Sequence, residues 1–132
     1  MDPARAEPDS AQADRLIVEA ARSGERLIVL DLALIEVANA IGVRQHRGLT
    51  SPIDAQQYLQ DLLAIPLHVE PADSRLRRGF EIAQTHDRAV HDALFVALVE
   101  ETGSAGVTAD EPLDRAVHAD FPQVILLRNW SP

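Results

Sequence analysis

The sequence predicts an α/β protein with a mostly parallel sheet. Short apolar runs of strand length alternate along the chain with longer segments of helical periodicity, and this alternation favours parallel strands joined by helices. The run RLIVL (26–30) is continuously apolar after its first residue, as in strands that are covered on both faces. The length of 132 residues suits a single domain, 1–132, with one core.

The predicted elements follow one another with short connections. Residues 1–8, which include Pro3 and Pro8, are expected to form a loose lead-in to a helix capped by Asp9 or Ser10. Helices are predicted over 10–24, 32–46, 50–65, 74–86, 89–103 and 110–120, and strands over 26–30, 66–70, 105–109 and 123–129. Of the helices, 89–103 is the most apolar and should be the most buried.

Polar residues before several apolar segments predict where helices begin. Asp31 and Asp73 are expected to be N-caps. Ser51, followed by Pro52 and by Asp54, matches a capping box with Asp in the usual Glu or Gln place.

Helical spacing predicts two apolar faces. One consists of Leu59, Leu62 and Leu63, and the other of Leu76, Phe80 and Ala83.

Composition excludes several kinds of chemistry. The chain has no cysteine and no lysine, so thiol nucleophiles, disulfides, cysteine zinc sites and Schiff-base lysines are ruled out. The five histidines have no HxxxH or HExxH spacing. No apolar run approaches 18 residues and the N-terminus does not resemble a secretory signal, so we expect a cytoplasmic protein. The net charge of −9 does not attract nucleic acid unless a divalent cation inverts the local sign.

Three acids fall where ligands bind in open α/β sheets, at the carboxyl ends of strands. Glu36 lies about one turn into the helix after the first strand, Asp110 follows the strand 105–109, and Asp92 begins the apolar helix before that strand. Asn39 shares a helical face with Glu36, and Thr108 precedes Asp110 by two residues. Clustered carboxylates are ligands for Mg²⁺ or Mn²⁺.

Each acid also has a structural interpretation. Asp110 suits an N-cap, and Asp92 gains from the dipole at a helix start. Glu36 must face solvent, a partner or a metal, because an unpaired buried carboxylate is costly. His91 is expected to be exposed or partly packed.

Three segments together resemble PIN-domain proteins of the VapC toxin type: IVLDLALIEVANAI (28–41), HDALFVALVEETGSAGVTADEPL (91–113) and FPQVILL (121–127). The resemblance rests most on an acid followed three residues later by Asn, a helix beginning xDAxxxALxEE, and TADexL. It implies a three-layer α/β/α sandwich and a Mg²⁺- or Mn²⁺-dependent endoribonuclease. It also implies a homodimer and inhibition by a cognate antitoxin protein.

The resemblance also implies residue roles. Glu36, Asp92 and Asp110 would be the second, third and fourth metal ligands and the catalytic acids. Thr108 would be a supporting hydroxyl and Asn39 a polar group near the site. His91 stands where the family often has Tyr.

One departure concerns the first strand of the family, which is central and ends in the first Asp ligand. This chain has only MDPARA at that position, and Asp2 has no strand before it. We expect that the chain starts downstream of that strand or is a degenerate copy. The strands 26–30 and 105–109 should then each lack a ladder neighbour, and the metal site should lack one acid.

Two alternatives to the ribonuclease stay open. One is a catalytically inactive PIN remnant that binds an antitoxin or another partner through its acidic groove, where a partner's Arg would pair with the carboxylates. The other is an α/β domain whose acids are all helix caps.

Overall fold

The structure is a computed structural model and describes residues 15–20 and 22–131. The expected lead-in over 1–8 and the cap at Asp9 or Ser10 lie outside these residues. Residues 15–20 and 22–23 are helical and form α1. The further elements are β1 (Leu27–Leu30), α2 (Asp31–His46), α3 (Pro52–Ala64), β2 (Leu67–Glu70), a 3₁₀ turn (Asp73–Arg75), α4 (Leu76–His86), α5 (Val90–Thr102), β3 (Gly106–Thr108), α6 (Glu111–Val117), β4 (Val124–Leu126) and a second 3₁₀ turn (Leu127–Asn129).

One compact unit spans residues 26–71. Its strands β1 and β2 pair in parallel, in a register that runs from Leu27 opposite Leu67 to Leu30 opposite Glu70. Helix α2 contacts both β1 and α3. At the start of α3, the Ser51 hydroxyl accepts a hydrogen bond from the Asp54 amide at 3.1 Å, so the predicted cap is confirmed.

The second compact unit includes residues 72–131 together with the described residues before position 26. Its core lies around α5, which is buried on most of its surface from Ala93 to Val99, as predicted. The residues that form this core are Ile82, Ala83, Ala93, Val96, Ala97, Val99, Leu113, Val117, Phe121 and Val124.

Two glycines allow neighbouring elements of this unit to approach α5 closely. A Cβ atom at Gly79 of α4 would lie 2.8 Å from the Leu94 side chain of α5. A Cβ atom at Gly106 of β3 would overlap the Val99 Cγ2 atom and would lie 3.1 Å from the Phe95 ring. Strand β3, which pairs in parallel with β4, therefore lies directly against the buried helix.

The predicted α/β class with parallel strands is confirmed. The described strands form two separate two-stranded sheets, β1–β2 and β3–β4, so each strand has one ladder neighbour. Parallel strands usually have neighbours on both sides and covered faces, and the first three residues of β1 are only half-buried.

Two predicted caps are wrong. Asp31 is the first residue of α2 rather than its N-cap, and its carboxylate accepts a hydrogen bond from the Leu32 amide at 2.7 Å. Asp73 begins a 3₁₀ turn, and α4 starts three residues later without a side-chain cap. In both places the chain enters the helical conformation earlier than the apolar pattern indicates.

The predicted apolar faces need correction as well. On α4 the buried positions are Gly79, Ile82 and Ala83, whereas Leu76 and Phe80 are about half-exposed. The face of α3 includes Ala55, and Leu63 points to solvent. Gly79 is buried because α4 approaches Leu94 of α5 closely at this position.

The last predicted strand, 123–129, is shorter than expected. Strand β4 covers only Val124–Leu126, and the chain then turns through Leu127–Asn129. The apolar run in the sequence continues past the strand because Leu127 is buried in the turn and is therefore also apolar.

Two Arg–Glu ion pairs connect α5 to the 3₁₀ turn and to α4. The guanidinium of Arg75, which is buried, donates two hydrogen bonds to Glu101, from Nε at 2.8 Å and from Nη2 at 3.0 Å. The guanidinium of Arg78 does the same with Glu100, at 2.7 and 2.8 Å. These bidentate pairs join α5 to residues more than 20 positions away.

Within the described part of the chain, no helix has both the length and the apolar character that crossing a membrane requires.

Substituting Gly106 tests the close approach of β3 to α5. Gly106→Ala should destabilise the protein by about 1–3 kcal/mol, because the new methyl group overlaps the Val99 side chain. Gly42→Ala is the matched control, since nothing lies within 4 Å of that position in α2. The control should stabilise by about 0.5–1 kcal/mol through the higher helix propensity of Ala. Urea unfolding measures the change in the free energy of unfolding for both variants. If both changes have the same sign, the close approach of β3 to α5 does not explain the effect at Gly106.

The Arg78–Glu100 pair should make stability depend on pH. The hydrogen bonds from Arg78 hold the pKa of Glu100 below its ordinary value of 4.5. Because the folded-state pKa is the lower one, the pair stabilises the protein above the ordinary carboxyl range, and this stability is lost as pH falls through the folded pKa. Arg78→Gln should therefore cost about 0.5 kcal/mol at neutral pH, a value typical of exposed pairs.

The same variant should cost almost nothing once Glu100 is protonated, which urea unfolding at a series of pH values would show. Arg77→Gln is the control, because Arg77 is an exposed neighbour on the same helix. A loss in Arg78→Gln that stays constant with pH would show that packing, not charge, is involved.

Candidate functional site

Asp110 is the N-cap of α6. One of its carboxylate oxygens, Oδ1, accepts a hydrogen bond from the Leu113 amide at 3.0 Å, and its backbone carbonyl accepts one from the Asp114 amide at 3.1 Å. The predicted cap is therefore present. A carboxylate has two oxygens, and the cap engages Oδ1, so this bond is compatible with a second contact through Oδ2.

Thr108 supports Asp110 through the backbone. The Thr108 hydroxyl accepts a hydrogen bond from the Asp110 amide at 3.1 Å. Strand β3 ends at Thr108, and Asp110 remains extended, with φ −83° and ψ 98°. The hydroxyl therefore fixes the turn between strand and helix, where the sequence had only indicated that the two residues share one side.

Asp92 occupies the third position of α5, in the first turn, where the helix dipole favours negative charge. Its side chain is 32% exposed, and its Oδ1 atom lies 3.4 Å from Nε2 of His91. His91 is largely exposed, as expected. The buried residues that follow, beginning with Ala93 and Leu94, hold this turn against the core.

Glu36 and Asn39 lie one turn apart on α2, and both are exposed. No residue of α2 is buried. The apolar helix therefore does not enclose the Glu36 carboxylate, which lies on the exposed surface of α2.

The three acids belong to different parts of the chain. Asp92 and Asp110 lie in the unit that includes 72–131, and Glu36 lies in the unit 26–71. Within the described ranges, no three His, Cys, Asp or Glu side chains lie close enough to hold a metal ion. Oxygen donors with access to water are the chemistry that Mg²⁺ and Mn²⁺ prefer, so the donors suit the ion, although they do not form a complete ligand set in this structure. Their roles as ligands remain a prediction.

An ion pair next to Asp110 was not predicted. Glu111, the first residue of α6, accepts hydrogen bonds from both terminal nitrogens of Arg128, at 2.9 and 3.4 Å. These bonds hold the pKa of Glu111 below its ordinary value. The two residues are 17 positions apart, and no spacing rule connects them. The one sequence signal is that Glu111 directly follows a candidate site acid.

Two comparisons with known proteins identify the family of this chain. Residues 2–118 match the PIN domain family. The chain is 34% identical over 121 residues to "Ribonuclease VapC3" of Pyrobaculum aerophilum, an alignment that covers 90% of this chain and 86% of that protein. The match extends over both compact units, and with it the chain is shown to be a member of the PIN domain family, related to VapC ribonuclease.

Proposed function

We propose that this protein is a metal-dependent endoribonuclease of the toxin–antitoxin class, which hydrolyses RNA phosphodiester bonds in the cytoplasm. The observation that carries the proposal is the alignment along 90% of the chain with a relative named as a ribonuclease. The alignment includes the segments that contain Glu36, Asp92 and Asp110.

The proposed ligands of Mg²⁺ or Mn²⁺ are the carboxylates of Glu36, Asp92 and Asp110. A bound cation of this kind lowers the pKa of a coordinated water and neutralises charge on a phosphate. The chain supplies three negative charges on separate elements, and the cap bond to Leu113 restricts the rotation of the Asp110 carboxylate. We also propose that Asn39, which is exposed one turn beyond Glu36, contacts the substrate.

The acidic character of the chain makes the cation important for binding RNA. The net charge of −9 repels a polyanion at long range. A divalent cation held among the carboxylates reverses the sign of the field at the site itself. RNA binding without the metal should therefore be weak.

Protein partners are supported by apolar side chains that remain exposed in the unit 26–71. Helices α2 and α3 together expose Ile35, Val37, Val43, Ile53, Tyr58 and Leu63. Exposed apolar side chains mark a protein-binding site where they form a contiguous patch. We propose that it serves a homodimer contact, an antitoxin contact, or both.

Mn²⁺ titration calorimetry tests the proposed ligands. The wild type should bind Mn²⁺, and Asp92→Asn should weaken binding by about tenfold or more, because the amide lacks the charge of the carboxylate. Asp54→Asn is the matched control, because Asp54 occupies the same third position of its own helix, α3. If the wild type does not bind Mn²⁺, or both variants lose affinity equally, this assignment of ligands is wrong.

RNA cleavage by Asp110→Asn separates the two roles of Asp110. Asn is as good an N-cap as Asp, so the variant should fold normally. Its cleavage rate with Mg²⁺ should fall by about 100-fold or more, since a charged ligand is lost. Asp110→Ala should lose the same activity and in addition about 1 kcal/mol of stability, measured by urea unfolding.

Two results would contradict the proposal. Cleavage that persists in Asp110→Asn would show that the activity comes from something else. A wild type that neither cleaves RNA nor binds Mn²⁺, yet still binds a protein partner, would instead identify an inactive PIN protein that acts as a binding module.

A further inference from the structure

The bidentate pair between Arg128 and Glu111 connects the end of one strand to the start of α6. Arg128 lies in the 3₁₀ turn that follows β4, and Glu111 is the first helical residue after Asp110. Strand β4 in turn pairs with β3, which leads into Asp110. The ladder and the ion pair therefore close a ring of contacts around the segment from Thr108 to Glu111.

Both ends of the pair are attached to fixed backbone. Leu126 and Leu127, next to Arg128, are buried, and so is Leu113 in the first turn of α6. The Trp130 amide donates to the Leu127 carbonyl at 3.1 Å and ends the turn. Because buried residues anchor the backbone at both ends, the ion pair can hold the start of α6 in a defined position relative to the turn after β4.

Arg115 does not duplicate this arrangement. It approaches Glu111 through a single contact of 3.7 Å, one helical turn along α6. That contact stays within the helix, whereas Arg128 reaches α6 from a different element. The planar guanidinium of Arg128 also engages both carboxylate oxygens, which fixes direction as well as distance.

We propose that Arg128 is a positioning residue for Asp110. By holding Glu111, it fixes the first turn of α6, so that the Leu113 amide stays aligned with the Asp110 Oδ1 atom. The other oxygen of the same carboxylate is thereby kept in one orientation, and it is the oxygen that would be available to hold a cation. The link to metal binding rests on the proposed function, while the link to the cap bond stands on the described contacts alone.

In a variant that lacks Arg128 alone, the change in charge and the loss of orientation would have opposite effects on cation affinity. Removing Arg128 alone leaves the Glu111 carboxylate without its main partner, and the added negative potential would strengthen cation binding. Loss of orientation would weaken it. The double variant Arg128→Gln/Glu111→Gln removes one positive and one negative charge together, so the local net charge is unchanged and the effect of position is isolated.

The experiment measures Mn²⁺ affinity by calorimetry and the hydrogen exchange of the Leu113 amide in the metal-free protein. The double variant should bind Mn²⁺ about tenfold more weakly, at the lower end of the range for residues that orient a metal ligand. The Leu113 amide should lose protection, while the melting temperature should hardly change, because exposed ion pairs contribute little to global stability. The reversed pair Arg128→Glu/Glu111→Arg should recover part of both losses.

The matched control is Arg78→Gln/Glu100→Gln, which removes a bidentate pair of similar exposure from α4 and α5. It should leave Mn²⁺ affinity and Leu113 protection unchanged. Unchanged Leu113 protection in the Arg128/Glu111 double variant would overturn the proposal, and so would unchanged Mn²⁺ affinity in a protein that binds Mn²⁺. If the wild type does not bind Mn²⁺, the proposed function fails, and Leu113 exchange alone decides whether Arg128 positions Asp110.

Discussion

The close approach of β3 to the buried helix α5 is the constraint on which the unit containing 72–131 depends. Gly106 lets the strand lie against Val99 and Phe95, and any side chain there would push the strand outward. Asp92 lies in the first turn of this helix, and Asp110 follows the strand. Packing in the core therefore places both acids, although neither takes part in it. Interiors are close-packed, so a displacement of the strand would be passed on to the turn at Asp110.

Asp110 can be both a helix cap and a metal ligand, because its carboxylate has two oxygen atoms. The cap bond satisfies one orphan donor of α6 through Oδ1. The same bond orients the carboxylate, and orientation of a ligand by a second hydrogen bond is the usual arrangement around protein metal sites. Thr108 contributes by holding the backbone of the same turn. A helix cap can thus be part of a functional site, and the structural role does not argue against the chemical one.

The sequence predicted features that depend on neighbouring residues. The strand at 27–30, the Ser51 cap and the burial of α5 follow from local pattern, and the structure has all three. The pattern failed at Leu76 and Phe80, because the smaller Gly79 and Ala83 form the contact face. The ion pairs of Arg75, Arg78 and Arg128 could not be predicted, since each joins residues that are 17 to 26 positions apart. Such pairs depend on tertiary structure, which local periodicity does not contain.

Because the three candidate acids are at least partly exposed, their charges do not carry the free-energy cost of a buried, unpaired carboxylate. Glu36 is solvated, Asp92 is partly exposed beside His91, and Asp110 is stabilised by an amide of α6. None of these carboxylates is an uncompensated buried charge, which would be costly. Structural metal sites differ, because their ligands come together only when the ion supplies folding energy. In the described residues the core contains no acid of the candidate site. Substituting one of these acids would therefore leave the residues of the packed core unchanged.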